Sequence, residues 1–300
     1  MSQPTQPVWF IADATTGLAA ALAEAVLASG QHAVLAARAP AQLQALVDRH
    51  PDRALALALD VTDAASVDMA IVAAERHFGR IDVLATSAAQ RYPGAIEEGE
   101  EGATRALFEE NVFGPINLAR RVLPGMRARR AGHIVMLARA SVQAPAFEGF
   151  SHAARSALEA LAEALFYEVE PLGIGVTLVD PGSGDDADAA APRTAGIPDY
   201  DGMVSRTSLG RGAAQVDAAR GAHAIMQAVA AGRGPLRLVL GRAALQRAYD
   251  RLRVLKVGFD AWADLAASAD VQAPVPAPVR PAHPPPPAGG RPRRAVRSRA

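Results

Sequence analysis

Residues 10–26 read FIADATTGLAAALAEAV, and the fold turns on how they divide. The apolar run ending at Ile11 suits a strand. The alanine- and leucine-rich run from Leu18 suits a helix, because these residues lose little rotamer freedom in one. Between them ADATTG must turn the chain within a few residues, and its only glycine is Gly17. A strand feeding a helix through a tight polar turn is the opening of a βαβ unit.

The same alternation continues along the chain. Short apolar runs predict strands near Val8–Ile11, His32–Ala37, Ala54–Leu59, Ile81–Ala85, His133–Leu137, Gly175–Val179 and Leu236–Leu240. Longer amphipathic stretches predict helices over Leu18–Ala28, Ala41–Asp48, Ala65–Phe78, Ala103–Arg129, Ala153–Glu170, Asp217–Ala230 and Ala243–Leu255. Right-handed crossovers between such strands give an α/β fold, a doubly wound parallel sheet of about seven strands in the order 3-2-1-4-5-6-7 with helices on both faces. Ligands then gather at the carboxyl ends of the strands where the order reverses, beside the opening turn.

Composition bounds the function. Half of the 300 residues are apolar, enough for one large domain, expected over residues 1–270. The 31 basic and 31 acidic side chains balance, so no global field draws the chain to nucleic acid or membrane. The balance conceals a segregated end: residues 271–300 carry Arg280, Arg291, Arg293, Arg294, Arg297 and Arg299, nine prolines and no acid. That segment reads as a disordered Pro/Arg-rich tail, and only through it would nucleic acid be met. There is no cysteine, which excludes disulfides and metal thiolates. Apolar runs stop short of membrane-spanning length, and no leader pattern opens the chain, so a cytoplasmic location without a membrane span is expected. Asp185, Asp186 and Asp188 lack a histidine or further carboxylate to complete a metal set, and no metal is expected.

Several stretches resemble the classical short-chain dehydrogenases/reductases (SDRs), in the right order from about Val8 to Asp270: FIADATTGLA, LDVTD at 59–63, VLATSAAQ at 83–90, NVFG from Asn111, GHIVMLARAS at 132–141, FSHAARSALEALAEAL at 150–165 and VTLVDPGS at 176–183. The resemblance implies a Rossmann-like sheet, a nicotinamide cofactor, NADP(H) if any, a hydrophobic small-molecule substrate and a homo-oligomer. It places Asp13, Thr15, Thr16, Gly17, Leu18, Arg38, Asp60, Val61 and Ala88 at the cofactor. Arg38 would suit a 2′-phosphate and Asp60 the adenine or, alternatively, the cap of the next helix.

The same resemblance exposes departures. The turn of this family is T-G-x-x-x-G-I-G, and Asp13 stands where it wants a glycine, bringing a carboxylate toward a phosphate. The tyrosine and lysine of the Y-x-x-x-K pair fall on Ser151 and Arg155. The family's serine falls on Ala138 or Arg139, and Ser141 nearby reads as a turn former, with a displaced substitute as the alternative. Of the four catalytic positions Asn111 alone is retained. A serine hydroxyl is a far weaker acid than a phenol of pKa about 10, so the expectation is a protein impaired in catalysis and weak in NADP(H) binding. The alternative is an active oxidoreductase with a non-standard proton path. Tyr92, read as a pocket wall with a wet hydroxyl, and His152 are the candidate substitutes.

Overall fold

The computed structural model describes residues 6–15, 17–138, 147–182, 196–200, 216–232 and 234–270. Its strands are β1 (Val8–Ala12), β2 (His32–Ala37), β3 (Ala54–Ala58), β4 (Val83–Ala88), β5 (Gly132–Ala138), β6 (Ile174–Asp180) and β7 (Arg237–Val239). All pair in parallel in the order β3-β2-β1-β4-β5-β6-β7.

Side chains alternate across this sheet, and each face is buried by helices. Val8, Phe10, Ala12, Val34, Ala36 and Leu84 join one apolar cluster, which is shared with helices α3 (Ala64–Phe78), α5 (Gly114–Arg129) and α6 (Gly149–Val169). Trp9, Ile11, Ala33, Leu35 and Val83 join a second, closed by α1 (Gly17–Ala28), α2 (Gln44–Arg49) and α7 (Ala218–Ala230). The central strands are mostly apolar because helices cover both faces, whereas the edge strands β3 and β7 are partly exposed.

Several boundaries differ from the sequence reading, among them Ala41–Asp48, whose helix is Gln44–Arg49, and Ala243–Leu255, which extends to Ala261. The stretch Ala103–Arg129, expected as one helix, is α4 (Glu101–Phe108), a wide π turn (Glu109–Phe113), then α5. Pro115 lacks the N–H that the Asn111 carbonyl would otherwise accept, and the Gly114 N–H bonds Glu109 five residues back. The cap of α3 is Asp63, which accepts from the Ala65 N–H, so Asp60 does not cap that helix.

The chain divides by its contacts into Met1–Leu255 and Lys256–Ala300. The first unit holds the sheet. Helix α8 (Arg242–Ala261) runs from the first unit into the second, where α9 (Ala263–Ala267) follows. The tail expected at 271–300 lies outside the described residues.

One buried group sets an expected pH response. His133 on β5 is 3% exposed, and its Nε2 lies 2.9 Å from Thr177 Oγ1 on β6. Gly234 closes over both; a Cβ there would come within 2.9 Å of each side chain. Burial lowers the His133 pKa to about 4. The unfolded chain therefore takes up this proton first. Its contribution is complete above pH about 6.5 and is lost as pH falls toward 4, by roughly 3 kcal/mol in all. Urea melts across this window should show that loss, and His133→Gln should remove it; parallel pH profiles for the two proteins would contradict the assignment.

Candidate active site

The turn after β1 is held by the Ala14 N–H bonding Ala36 O on β2 at 3.3 Å. Asp13 has φ 57° and Gly17 φ 58°, so the turn uses the left-handed region twice. Asp is among the few non-glycine residues that tolerate it. A Cβ built on Gly17 meets no atom of the described residues within 4 Å. The Asp13 carboxyl is bonded to the Thr15 side chain. Its pKa is raised, first by desolvation and then by the Glu110 carboxylate, with Arg38 opposing.

Arg38, just past β2, bridges two acids: Nη1 to Glu110 Oε1 at 3.2 Å and Nη2 to Asp60 Oδ1 at 3.6 Å. Glu110 raises the Arg38 pKa most, with Asp60 adding to it. Asp60 is held below the usual carboxylate range by its hydrogen bonds from Thr62, with Arg38 adding to them. Three acids, Asp13, Asp60 and Glu110, thus surround one guanidinium. Val61 packs on Gly114, whose added Cβ would lie 2.7 Å from Val61 Cγ2. Ala88 ends β4 in the core, and Leu18 packs toward Gly221 on α7. Thr16 lies outside the described residues.

The second corner is built where the loop after β4 crosses the start of α6. Asn111, 1% exposed in the π turn, donates from Nδ2 to Gln90 O at 2.8 Å and accepts from Gln90 N at 3.1 Å. Both of its amide atoms are thereby spent on one residue of that loop. Ser151 does the same one step along. Its Oγ, fully buried, accepts from the Tyr92 N–H at 2.8 Å and donates to Tyr92 O at 3.4 Å. Tyr92 also differs from the sequence reading: its hydroxyl is not simply wet but accepts from the Glu100 N–H at 2.9 Å.

Arg155 follows Ser151 by one helical turn. Its Nε bonds Ser151 O at 2.9 Å, and Nη2 lies 3.7 Å from Glu148 Oε2. Arg91 pairs with the other oxygen of Glu148. Glu148 is buried and the two arginines are partly buried, all three side chains being 16% exposed or less. An isolated bridge between Gly94 and Glu148, with the Gly94 N–H bonding Phe147 O at 2.8 Å, fixes the backbone beneath the triad. Leu107, Val112 and Ala154, with Phe108 and Phe150, form an apolar wall beside it.

Asn111, Ser151 and Arg155 lie along the crossing of the loop after β4 with the start of α6, and Asp13, Arg38 and Asp60 lie together beside the turn after β1. Ala138 ends β5 in the core. Arg139, Ser141, Asp185, Asp186 and Asp188 lie outside the described residues. His152 is half-buried with a lowered pKa, mainly through desolvation. Among the described residues no acidic or histidine cluster could hold a metal ion. None of their helices is long and apolar enough to cross a membrane. Sequence reading missed Arg91, Glu110 and Glu148. The i, i+3, i+7 spacing of Glu148, Ser151 and Arg155 was the one available signal, since it sets them on one helical face.

The fold and strand order coincide with one family. The family model described as short chain dehydrogenase matches residues 7–196, and the chain belongs to this family. The oxidoreductase BOA17 of Botryotinia fuckeliana is 28% identical over 86% of this chain and 97% of its own. A crystal structure of a short-chain dehydrogenase from Streptomyces avermitilis is 34% identical, with TM-score 0.81, over 89% of this chain and all of that one. A metagenomic short-chain oxidoreductase in complex with NADP is 25% identical, with TM-score 0.56, over 59% of this chain and 82% of that one.

Proposed function

We propose that this chain is an SDR-fold protein that has given up carbonyl reduction and keeps a weakened nucleotide site, acting as a regulator, a scaffold or an inactive subunit. The observation that carries this reading is Ser151: the hydroxyl at the tyrosine position is buried and committed to both polar atoms of the Tyr92 backbone. It has neither the acidity nor the reach to pass a proton to a substrate oxygen. Arg155, at the lysine position, is turned toward Glu148, and its permanently charged fork is not an ammonium group. A homo-oligomer through α4–α5 and α6 is consistent with exposed Phe113, Leu161 and Tyr167. The apolar wall of Phe108 and Phe150 suits a hydrophobic small molecule.

Residues present for NADP(H) fit it at one end and oppose it at the other. Gly17 begins α1 with no side chain of its own to obstruct a phosphate, and the relative in complex with NADP supports a nicotinamide nucleotide as the ligand class. Asp13 and Glu110 bring negative charge to the same place, and Arg38 is already shared between Glu110 and Asp60. At about 4 Å and an effective dielectric near 20, one such carboxylate opposes a phosphate by about 4 kcal/mol before salt screening.

Asp13→Gly should therefore tighten NADPH binding about tenfold or more in calorimetry, at no conformational cost, since glycine suits φ 57°. Wild-type affinity should also rise as pH falls, because Asp13 is neutralised at a higher pH than an ordinary aspartate. Equal affinity of the two proteins at every pH would remove the electrostatic argument. The second reading, a working oxidoreductase, is favoured by Arg38 standing beside Asp60 at the adenosine end. It requires NADPH-dependent turnover, the measurement taken up in the Discussion.

A further inference from the structure

Strand β1 lies between β2 and β4 in the sheet, and the segments that leave these two neighbours are tied together by Glu110 of the π turn. Glu110 Oε1 lies 3.2 Å from Nη1 of Arg38, just past β2, and accepts from Nε2 of Gln90, just past β4, at 3.4 Å. On its other side Arg38 reaches Oδ1 of Asp60, past β3, at 3.6 Å. One guanidinium is thus held between two carboxylates where the strand order reverses.

Doubly wound sheets that bind dinucleotides meet the adenosine ribose at this place, through an acid or an arginine about 20 residues beyond the opening turn. The two groups found at the ribose 2′ position ask for opposite surroundings. A 2′-phosphate carries close to two negative charges and is held by a cation with donors to give. A 2′-hydroxyl is neutral and donates to a carboxylate. Here Asp60 and Glu110 outweigh the charge of Arg38, and the three side chains together carry one net negative charge.

We propose that Glu110 makes the adenosine end of this site select NAD(H) over NADP(H). Its carboxylate takes up the guanidinium that a 2′-phosphate would require, and with Asp60 it offers acceptor oxygens suited to a 2′-hydroxyl. Selection of this kind rests on the nucleotide site proposed above, but it is carried by a different acid. Asp13 bears on the pyrophosphate, which both nucleotides share, whereas Glu110 bears on the group at Arg38, where alone they differ. Glu110 is 27% exposed and Arg38 55%, so water and salt moderate the effect without cancelling it.

Calorimetry of the full-length chain with NADH and with NADPH at low salt tests the selection. The wild-type protein should bind NADH more tightly than NADPH. Glu110→Gln should tighten NADPH about tenfold and change NADH by less than about twofold. Glu110→Ala, which removes the same charge, should move the ratio in the same direction. Asp13→Gly should tighten both nucleotides and leave their ratio in place. A wild-type preference for NADPH, or Glu110 variants that change both nucleotides alike, overturns the selection while the nucleotide site stands. A ratio that moves with Glu110→Gln while Asp13→Gly has no effect upholds the selection and removes the Asp13 account instead. Binding of neither nucleotide, by the wild type or by any of these variants, overturns the nucleotide site and the selection together.

Discussion

Given NADPH and a panel of hydrophobic ketones and aldehydes, the wild-type protein is expected to turn over well below about 1 s⁻¹, the low end of enzyme rates. Positioned acid and base groups supply about 10² to 10⁴ in rate. Here the position that should carry the phenol holds a buried serine bonded to Tyr92, and the position that should carry lysine holds Arg155 paired with Glu148. Such losses act as a unit and do not multiply. Restoring one residue should accordingly recover little. Ser151→Tyr forces a large ring into a fully buried position, and overpacking of that kind costs about 1–3 kcal/mol. Revival should need Ser151→Tyr and Arg155→Lys together with Asp13→Gly and a serine at Ala138 or Arg139. Wild-type turnover at or above about 1 s⁻¹ would refute the non-catalytic reading and establish the oxidoreductase.

Glu148→Ala should be among the most damaging single changes to stability. The carboxylate lies between Arg91 and Arg155, all three side chains being 16% exposed or less. Removing it takes away the carboxylate that Arg91 and Arg155 share, and breaking a largely buried ion pair typically costs about 3–5 kcal/mol. A domain of ordinary stability, about 5–15 kcal/mol, would lose a large part of its margin. Replacing Arg91, Glu148 and Arg155 together by leucine should cost less than Glu148→Ala, because exchanging the ionic cluster as a whole for apolar side chains does not keep its two arginines without this carboxylate. Urea titration of the two variants separates the cases. A loss below about 1 kcal/mol for Glu148→Ala would mean that the triad behaves as a solvated surface cluster.

The two expectations draw on one geometric fact. The loop after β4 and the start of α6 are tied together by Asn111 on Gln90, Ser151 on Tyr92 and Glu148 on Arg91. Each tie occupies a group that stands at or beside a catalytic position. Asn111 kept its identity, yet its amide is spent on the Gln90 backbone. A retained residue type is thus a weaker guide to chemistry than the bonds it makes.

Sequence alone determined the strand order, the helices and the division of the chain at the opening turn. The reason is that period and composition are local: a strand buried on both faces must be apolar throughout, a covering helix must be amphipathic, and both patterns are written in consecutive residues. It also determined which residue types stand at Asp13, Ser151 and Arg155. Tertiary structure decided what those residues do. Arg38 could be read as a phosphate ligand until Glu110, distant in sequence, was found beside it. Arg91 and Glu148 carried no motif, since a buried ion pair joins residues 57 apart and leaves no periodic trace. The stretch Ala103–Arg129 reads as one helix in sequence, and only the folded chain shows the π turn before Pro115 that aims Asn111 at Gln90. Local preference is summed along the chain, whereas charge pairing and buried hydrogen bonds act through space, and space is fixed only once the sheet has formed.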